Sequence, residues 1–421
     1  MKLKRVFIIT GDASGDLHAS HVIKQFQKKY PAVEIRAIGG SSMAATGVSI
    51  FHDQRQLGAF GMGVLTAIPS HYRLGARLLK FLQTEWIPDL VLMVDYGIFN
   101  LWLAPKIKAM GIPVVYFIPP QIWASRRGRI KQIQKGVDKV CCIFPFATAI
   151  SEEAGVSPVF VGHPVAAALL PAPTRAAFCR KFGLDCDRPI IGLFPGSRRG
   201  EVKSLLPSML SAIPLISEKM SVRPQFILAQ SDAVPDELVV SILGKYSALL
   251  AQYDFTRMLH ANYAILALSR TSIVASGTVT LEAALYQTPV VIIYQLSKIA
   301  QYLFKRFSYV QYVGLPNLLI PGAKAFLPEL IMSHIPAESI AAAVEPFLSD
   351  TASYSHARDS MKHIKKMMEV NAPASENVVN ALIQYFDDQD SRVCVSSEAK
   401  SNLEVSKIAA QWKDLRLFGK G

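Results

Sequence analysis

The stretch Ile273-Val-Ala-Ser-Gly-Thr-Val-Thr-Leu-Glu-Ala-Ala-Leu285 indicates both how this chain folds and what it binds. An apolar run ends in Ser276-Gly277-Thr278, and a run of good helix formers follows. A buried strand that turns into a helix here leaves backbone N–H groups free at the helix start, where the dipole also favours an anion. Glu282 lies one turn further on, where a carboxylate can accept hydrogen bonds from ribose hydroxyls. The motif fits a sugar-nucleotide site, but a capped helix in any α/β protein has the same pattern.

A glycine loop with two arginines, Pro195-Gly-Ser-Arg-Arg-Gly200, follows a second apolar run, Ile190–Phe194. Its glycines allow the backbone to approach a ligand closely. The arginines can neutralise a diphosphate, because a guanidinium binds phosphate oxygens through two parallel hydrogen bonds. Two such loops in one half of the chain are a stronger indication of a sugar-nucleotide site than either loop alone.

A third loop, Gly11-Asp-Ala-Ser-Gly-Asp16, follows the first apolar run and opens a helical pattern. It lacks the G-x-G-x-x-G spacing of dinucleotide-binding loops, and its two carboxylates would repel a diphosphate. We therefore expect Ser14, Gly15 and Asp16 to contact the hydroxyls of an acceptor sugar. The alternative for Asp16 is a carboxylate at a helix start that the dipole favours, and the two roles are compatible.

Two residues are candidates for a general base. Asp95 follows the apolar run Leu90–Val94, and partial burial at the end of a strand would raise its pKa towards a useful value. A strand-terminal aspartate that caps the next segment is the alternative. His18 is the second candidate, because a histidine titrates near neutrality. Gln121 and Trp123 precede a basic cluster and are expected to hold a phosphorylated sugar, unless they belong to a plain surface loop.

Short apolar runs alternate with helical patterns along the chain, which is typical of stacked βαβ units. We predict an α/β protein of two Rossmann-like, doubly wound domains that face each other across a cleft, with ligands at the carboxyl ends of the strands. The predicted domains are an acceptor and membrane-side domain at 1–168, a sugar-nucleotide domain at 169–385, and a polar linker with a short tail helix at 386–421. The C-terminal helices can pack back on the first domain.

Composition narrows the class of protein further. Lys and Arg number 45 against 32 Asp and Glu among 421 residues, a formal net charge of +13 that favours polyanionic partners. No nucleic-acid-binding motif is present. Basic and apolar residues interleave in Lys298–Phe307, as in proteins that rest on anionic lipid, although a solvated basic helix face gives the same pattern. No apolar run is long enough to span a bilayer.

Compartment and metal content follow from the N-terminus, the cysteines and the histidines. The N-terminal apolar run Val6–Ile9 is too short for a signal peptide, so we expect a cytoplasmic protein. Five cysteines form no C-x-x-C pair, which fits that compartment. The histidines form no metal-binding pattern, so neither a metal nor another cofactor is expected.

Taken together, the motifs resemble those of the lipid A disaccharide synthase family, inverting glycosyltransferases of the GT-B fold. The resemblance extends in order from about Val6 to about Glu329. Its motifs are Gly11-Asp-Ala-Ser-Gly-Asp16, Gly39-Gly40 with Met43, Asp95 with Phe99-Asn100, Pro120-Gln-Ile-Trp-Ala124, Phe144-Pro-Phe146, Val161-Gly-His-Pro164, Pro195-Gly-Ser-Arg198 with Glu201-Val202, Ala275-Ser-Gly-Thr278 with Glu282, and Leu315-Pro-Asn-Leu-Leu319.

The resemblance implies transfer of 2,3-diacylglucosamine from UDP to 2,3-diacylglucosamine 1-phosphate, with a β-1,6 linkage, to give lipid A disaccharide 1-phosphate and UDP. It implies that Asp95 is needed for activity. It also implies that Arg198 and Asn317 belong to the UDP side, and it fits the ribose role of Glu282. With the two loops described above, the expected UDP-sugar site comprises Gly196, Ser197, Arg198, Glu201, Ser276, Gly277, Thr278, Glu282 and Asn317. Expected partners are the two sugar substrates, the inner leaflet of the cytoplasmic membrane as a peripheral surface, and a second copy in a homodimer; nucleic acid is not expected.

The chain departs from the family pattern at several positions, and the isoleucine at position 98 keeps one of two alternative functions, the sensor, open. Ile98 stands where the family often has a second aspartate, Asp12 where glutamate is usual, and Ser125 where tryptophan is common. These differences bear on the acceptor and its acyl chains more than on the reaction. The alternatives are another GT-B enzyme that uses UDP-N-acetylglucosamine, such as an epimerase or a peptidoglycan glycosyltransferase, and a non-catalytic nucleotide-sugar sensor docked on the membrane.

Overall fold

The computed structural model describes residues 3–57, 64–120, 130–153, 155–307, 312–320, 325–348 and 352–391. The chain divides into two compact units. Of the described residues, the first unit comprises those up to Ala167 together with 370–391, and the second comprises those within Ala168–Glu369. Two predicted acceptor residues, Gln121 and Trp123, lie outside the described residues.

The first unit is built on a parallel sheet of seven strands in the order β3-β2-β1-β4-β5-β6-β7. Its central strands are continuous apolar runs because helices cover both faces of the sheet. The strands are β1 Arg5–Ile9, β2 Glu34–Gly39, β3 Ser49–Asp53, β4 Leu90–Val94, β5 Val114–Phe117, β6 Lys139–Cys142 and β7 Ser157–Phe160. The helices are α1 Ala13–Lys29, α2 Ser41–Ala44, α3 Val64–Thr84, α4 Gly97–Lys108, α5 Ile130–Gly136, α6 Phe146–Glu153 and α7 Pro164–Ala168.

The second unit has a parallel sheet of six strands in the order β10-β9-β8-β11-β12-β13. The strands are β8 Ile190–Phe194, β9 Gln225–Gln230, β10 Phe255–Leu259, β11 Thr271–Ala275, β12 Val290–Gln295 and β13 Glu329–Met332. The helices are α8 Arg175–Phe182, α9 Arg199–Glu218, α10 Asp236–Lys245, α11 Ser247–Leu250, α12 Asn262–Leu268, α13 Thr278–Tyr286, α14 Lys298–Phe307, α15 Leu315–Leu319, α16 Ala337–Leu348 and α17 Ala352–Met368. Both sheets are doubly wound, as predicted.

The chain returns to the first unit after α17. The last described helix, α18 (Ala374–Ser391), packs beside α1, and Lys29 Nζ lies 2.8 Å from Glu376 Oε1. Val378, Val379 and Leu382 of α18 are buried in the core on that face of the sheet. Because α18 runs to Ser391, residues 386–391 are helical, and the polar linker predicted to begin at 386 is wrong for those six residues. The rest of the tail lies outside the described residues.

Two observations on the described helices concern whether they could cross or contact a membrane. None of those in the ranges given above is long and apolar enough to cross a bilayer. In α3, Leu74 and Leu78 are buried in the core.

Candidate functional site

In the first sheet the strand order reverses between β1 and β4, which is where open α/β sheets bind ligands. Ile9 pairs with Met93, so the loop after β1 and Asp95 after β4 leave the sheet side by side. Gly11 is required here, because a Cβ on it would lie 2.1 Å from the Tyr96 ring. The structure therefore brings the predicted acceptor loop and the predicted base to one edge.

The backbone at Asp95 is strained and firmly held. Asp95 and Tyr96 have φ values of 50° and 58°, in the left-handed region that residues with a side chain rarely adopt. The Asp95 carbonyl accepts hydrogen bonds from the Tyr116 hydroxyl at 2.6 Å and from the Asn100 amide at 2.8 Å. Its N–H donates to the carbonyl of Phe117 at 3.1 Å. Such strain persists only where surrounding contacts fix the backbone, and it is common at functional sites.

The Asp95 carboxyl is half-buried, and its charged form is disfavoured. Burial and, to a lesser extent, the carboxylate of Asp12 raise the pKa of Asp95 to about 6, while a hydrogen bond from the backbone of Tyr96 opposes the shift. A carboxyl with this pKa is mostly ionised at neutral pH, yet more basic than an exposed aspartate. These are the properties of a general base that works near pH 7.

His18, the second predicted base, lies on α1 one turn from Ser14. Its Nε2 is 3.4 Å from the Ser14 hydroxyl, and its Nδ1 is buried with no hydrogen-bond partner in the described residues. Burial lowers the pKa of His18 and nearby His21 lowers it further, while the Asp12 carboxylate opposes the shift, so the neutral imidazole is favoured. Burial and, to a lesser extent, the nearby His18 lower the pKa of His163 to about 3.

Asp16 is buried in the first unit. Its side chain is 2% exposed, and its two oxygens accept hydrogen bonds from the backbone N–H groups of Gly40 at 2.6 Å, Ser42 at 2.8 Å and Met43 at 3.2 Å. These contacts hold the start of α2 beside the acceptor loop. Asp12 likewise caps α1, because its Oδ1 accepts from the N–H of Gly15 at 2.6 Å. Direct contact of Asp16 with acceptor hydroxyls stays a prediction.

In the second sheet the strand order reverses between β8 and β11. Phe194 pairs with Val274, so the Pro195–Gly200 loop and the Ser276–Thr278 turn lie next to each other at the carboxyl edge. Two helices begin here: α9 at Arg199 and α13 at Thr278. No side chain caps α13, so the N–H groups of its first turn are directed at this edge. The two predicted phosphate loops therefore lie at the same edge of the second sheet.

Arg198 lies at the start of α9 with its side chain 83% exposed. Its Nη1 contacts Glu201 Oε1 at 2.9 Å, and Glu201 Oε2 also accepts from the backbone N–H of Arg198 at 3.4 Å. Gly196 has a φ of +104°, and a Cβ on it would lie 2.3 Å from Glu201 Oε2. Glu201 therefore orients Arg198, and an exposed ion pair of this kind is weak enough to open for a stronger anionic ligand.

In this structure the side chains of Ser276 and Asn317 form hydrogen bonds with other parts of the protein. The Ser276 hydroxyl donates to the carbonyl of Val313 at 3.1 Å. The Asn317 amide, 3% exposed, donates to the carbonyl of Leu327 at 2.9 Å and to Glu329 Oε1 at 2.7 Å, and its oxygen accepts from the N–H of Leu327 at 3.1 Å. Both side chains thus brace the segments beside the Ser276–Thr278 turn. Direct contact of Asn317 with a nucleotide stays a prediction.

Glu282 projects from the second turn of α13 and is half-buried. Burial raises the pKa of Glu282 to about 7. Tyr263 and Tyr286 lie close to it, with ring centroids 6.2 Å apart, and the negative charge of Glu282 adds to the burial that raises both tyrosine pKa values. Near neutral pH the Glu282 carboxyl can therefore either donate a hydrogen bond or accept one, and both suit vicinal ribose hydroxyls.

Three residues that hold nearby backbone through hydrogen bonds are given no role by the sequence alone: Tyr116, Asn100 and Glu329. Tyr116 lies inside an apolar strand and has the pattern of a core residue, Asn100 was only part of a motif, and Glu329 begins an edge strand. Burial raises the pKa of Glu329, which accepts from the N–H groups of Val313 and Gly314 at 2.7 and 3.0 Å. Within the described residues, no group of three histidine, cysteine, aspartate or glutamate side chains is placed to hold a metal ion.

Solved structures share this architecture. The crystal structure of MurG from Acinetobacter baumannii matches with a TM-score of 0.58 at 15% identity, over 91% of this chain and 99% of that one. A UDP-GlcNAc 2-epimerase from Neisseria meningitidis bound to UDP-GlcNAc matches with a TM-score of 0.56 at 13% identity, over 90% of this chain and 100% of that one. At these identities the likeness shows the fold alone, and it confirms the predicted GT-B type.

The sequence comparisons identify the family. A family model described as lipid-A-disaccharide synthetase matches residues 6–383. A lipid-A-disaccharide synthase of Geobacter metallireducens is 35% identical over 387 residues, which cover 90% of this chain and 97% of that protein. A Coxiella burnetii protein of the same name is 33% identical over 382 residues, covering 91% and 98%. This chain is therefore a glycosyltransferase of lipid A biosynthesis and belongs to the lipid-A-disaccharide synthetase family.

Proposed function

We propose that this enzyme transfers 2,3-diacylglucosamine from its UDP conjugate to the 6-hydroxyl of 2,3-diacylglucosamine 1-phosphate. The products are the β-1,6-linked disaccharide 1-phosphate and UDP. The observation that carries the proposal is Asp95, a half-buried carboxyl with a raised pKa on a clamped backbone at the point where the first sheet reverses. That position suits a base that removes one proton from an acceptor hydroxyl.

The UDP end of the donor binds at the reversal point of the second sheet. Arg198 leaves its exposed pair with Glu201 and binds the diphosphate through charge-assisted hydrogen bonds. The N–H groups at the start of α13 bind the same anion, and Glu282 binds the ribose. These groups stabilise the charge that develops on the departing UDP, so the leaving group is accommodated by protein donors.

Asp95 is the base in this proposal, and His18 supports the acceptor loop. The acceptor oxygen attacks the anomeric carbon as its proton passes to the Asp95 carboxylate, while the bond from the anomeric carbon to the UDP oxygen breaks. One displacement of this kind inverts the anomeric centre. Asp95 fits better than His18 because the Nδ1 of His18 is buried and its Nε2 faces the Ser14 hydroxyl.

The enzyme works in the cytoplasm on the inner leaflet of the cytoplasmic membrane, where acylated substrates reside. The net charge of +13 supports contact with an anionic surface. Ile299 and Tyr302 of α14 are 75% and 67% exposed beside Lys298, which is the mixture of apolar and basic groups that such a contact needs. Co-sedimentation with vesicles of anionic lipid, compared with neutral lipid, tests this association, and analytical ultracentrifugation tests the expected homodimer.

Mass spectrometry of the products tests the reaction. The purified enzyme is incubated with UDP-diacylglucosamine and diacylglucosamine 1-phosphate, and the disaccharide 1-phosphate is expected together with an equal amount of UDP. A parallel reaction with UDP-N-acetylglucosamine should give neither an epimer nor a disaccharide. Binding of UDP without UDP release from the diacylated pair would instead identify a nucleotide-sugar sensor.

A further inference from the structure

Two motifs of the first unit have no part in the proposed reaction, Phe144-Pro-Phe146 and Val161-Gly-His-Pro164. Phe144 follows β6 and His163 follows β7, so both residues lie at the carboxyl edge of the first sheet, which also carries Asp95. The ring centroids of Phe144 and His163 lie 5.1 Å apart, with their planes inclined by 44°. The structure thus brings the two motifs together around one histidine.

The backbone before His163 is held firmly within the first unit. The carbonyl of Val161 accepts a hydrogen bond from the Asn377 side chain at 3.1 Å. Gly162 has a φ of +86°, and a Cβ on it would lie 2.7 Å from Val370 Cγ2, so this position requires glycine. The direction in which the His163 side chain leaves the backbone is therefore fixed by contacts on both of the preceding residues.

One hydrogen bond determines which ring nitrogen of His163 carries the proton. Its Nδ1 accepts from the backbone N–H of Val165 at 3.2 Å, in the first turn of α7, so Nδ1 is the unprotonated nitrogen. A neutral imidazole then carries its proton on Nε2. Burial and, to a lesser extent, His18 lower the pKa of His163 to about 3, so the ring stays neutral. His163 thus presents an uncharged N–H donor in a fixed orientation.

The Nε2–H group of His163 has no acceptor among the described residues. The residue is 9% exposed, yet Nε2 is not sealed from solvent, unlike the buried and unpartnered Nδ1 of His18. Buried polar groups are nearly always hydrogen-bonded, because an unpaired donor costs free energy. A donor that is more than nine-tenths buried, rigidly held and unpaired is therefore well placed to bind an oxygen of a ligand.

The surroundings of this donor indicate which ligand it takes. His163 lies close enough to His18 for the two rings to interact electrostatically, and Nε2 of His18 is 3.4 Å from the Ser14 hydroxyl of the acceptor loop. The carboxylates of Asp12 and Asp95 at the same edge repel a diphosphate and favour an uncharged sugar hydroxyl. A histidine that stays neutral also does not compete with Asp95 for the proton of that sugar.

We propose that the Nε2–H group of His163 donates a hydrogen bond to a hydroxyl of the acceptor sugar and thereby orients the sugar towards Asp95. The inference rests on the proposed function, which supplies an acceptor sugar and assigns it to the first unit. His163 is a substrate-binding residue in this arrangement and not a second base, because its proton stays on Nε2 throughout the reaction.

Two substitutions separate the donor from the hydrogen bond to α7. In His163→Asn the side-chain oxygen can still accept from Val165, as Nδ1 does, but no N–H reaches the position of Nε2. In His163→Gln the longer amide keeps a donor at that position and gives up the bond to Val165. The KM for the acceptor should rise about 3- to 10-fold in His163→Asn and stay within twofold of native in His163→Gln. In both variants kcat and the KM for UDP-diacylglucosamine should stay within twofold, because the bond forms equally in the ground and transition states.

His356→Asn is the matched control, because it makes the same change at an exposed position of α17 in the second unit, and it should alter none of these constants. A native acceptor KM in His163→Asn would overturn the proposal. An equal rise in both His163 variants would also overturn it, because the imidazole would then serve packing alone. A rise in the KM for the donor instead of the acceptor would assign the hydrogen bond to the wrong substrate. If the native enzyme forms no disaccharide, the proposed function is wrong and the inference falls with it.

Discussion

The two sheets have the same winding but place opposite charges at their reversal points. Between β1 and β4 the nearby side chains are carboxyls, Asp12 and Asp95, and burial makes Asp95 more basic. Between β8 and β11 the groups are Arg198 and the uncapped start of α13. The shared topology places polar groups at equivalent edges, and in the proposed mechanism one edge takes a proton and the other binds an anion.

Asp95→Asn gives the largest expected effect, because the amide cannot accept the proton. We expect turnover to fall about 10²-fold or more while the Kd for UDP stays within twofold. UDP release and calorimetry measure the two quantities. The control is Asp187→Asn, which changes an exposed aspartate and should alter neither turnover nor the Kd for UDP. Native turnover in Asp95→Asn would remove the carboxyl from the mechanism.

Arg198→Ala should affect the other site. Loss of charge-assisted hydrogen bonds, worth about 1.5–3 kcal/mol, should weaken UDP binding roughly 10- to 100-fold. Lys203→Ala removes an exposed cation one turn further along α9 and should weaken binding less than threefold. If the two variants lose affinity equally, general charge rather than a specific contact holds the nucleotide.

Tyr116→Phe tests whether the hydrogen bond from Tyr116 to the Asp95 carbonyl contributes to turnover. Removing one neutral hydrogen bond of about 0.5–1.5 kcal/mol should reduce kcat about 3- to 10-fold, since Asn100 still binds that carbonyl. The Kd for UDP should not change, because Tyr116 belongs to the first unit. An unchanged kcat with normal thermal stability would show that the hydrogen bond from Tyr116 is not needed to fix Asp95.

Glu282→Gln should have the smallest effect. Because the pKa of Glu282 is raised to about 7, its carboxyl ionises between pH 6 and 8 and then accepts ribose hydrogen bonds more strongly. Affinity of the native enzyme for UDP-N-acetylglucosamine should rise about threefold over that range. In Glu282→Gln the dependence should vanish, and in the exposed control Glu218→Gln it should persist. A flat native profile would exclude Glu282 from ribose binding.

The sequence predicts the interior of both sheets better than their edges. Leu90–Val94, Val114–Phe117 and Ile190–Phe194 are continuous apolar runs, and the structure has strands with these bounds. The strands Ser49–Asp53, Phe255–Leu259 and Glu329–Met332 were not predicted. Each lies at a sheet edge and mixes polar with apolar residues, because one side has no neighbouring strand to bury it.

A site residue can be predicted from the sequence when its role depends on its immediate neighbours, and cannot be when its role depends on residues far along the chain. Asp95 is identifiable because a carboxylate after a buried strand is a local pattern. The role of Asp16 cannot be identified from a local pattern. Its partners Gly40, Ser42 and Met43 belong to the segment after β2, and this segment lies beside Asp16 only because β2 pairs with β1. The role of Tyr116 cannot be predicted for a similar reason, because its hydroxyl contacts the Asp95 carbonyl only through the pairing of β5 with β4.

The pH dependence of kcat/KM, measured in the native enzyme and in His18→Gln, tests the assignment of the base most directly, because kcat/KM reports the pKa values of the free enzyme. Ionisation of Asp95 should give an acidic limb with an apparent pKa near 6, below which the rate falls as the carboxylate is protonated. The same limb should remain in His18→Gln. Loss of that limb in His18→Gln would mean that His18, and not Asp95, removes the proton.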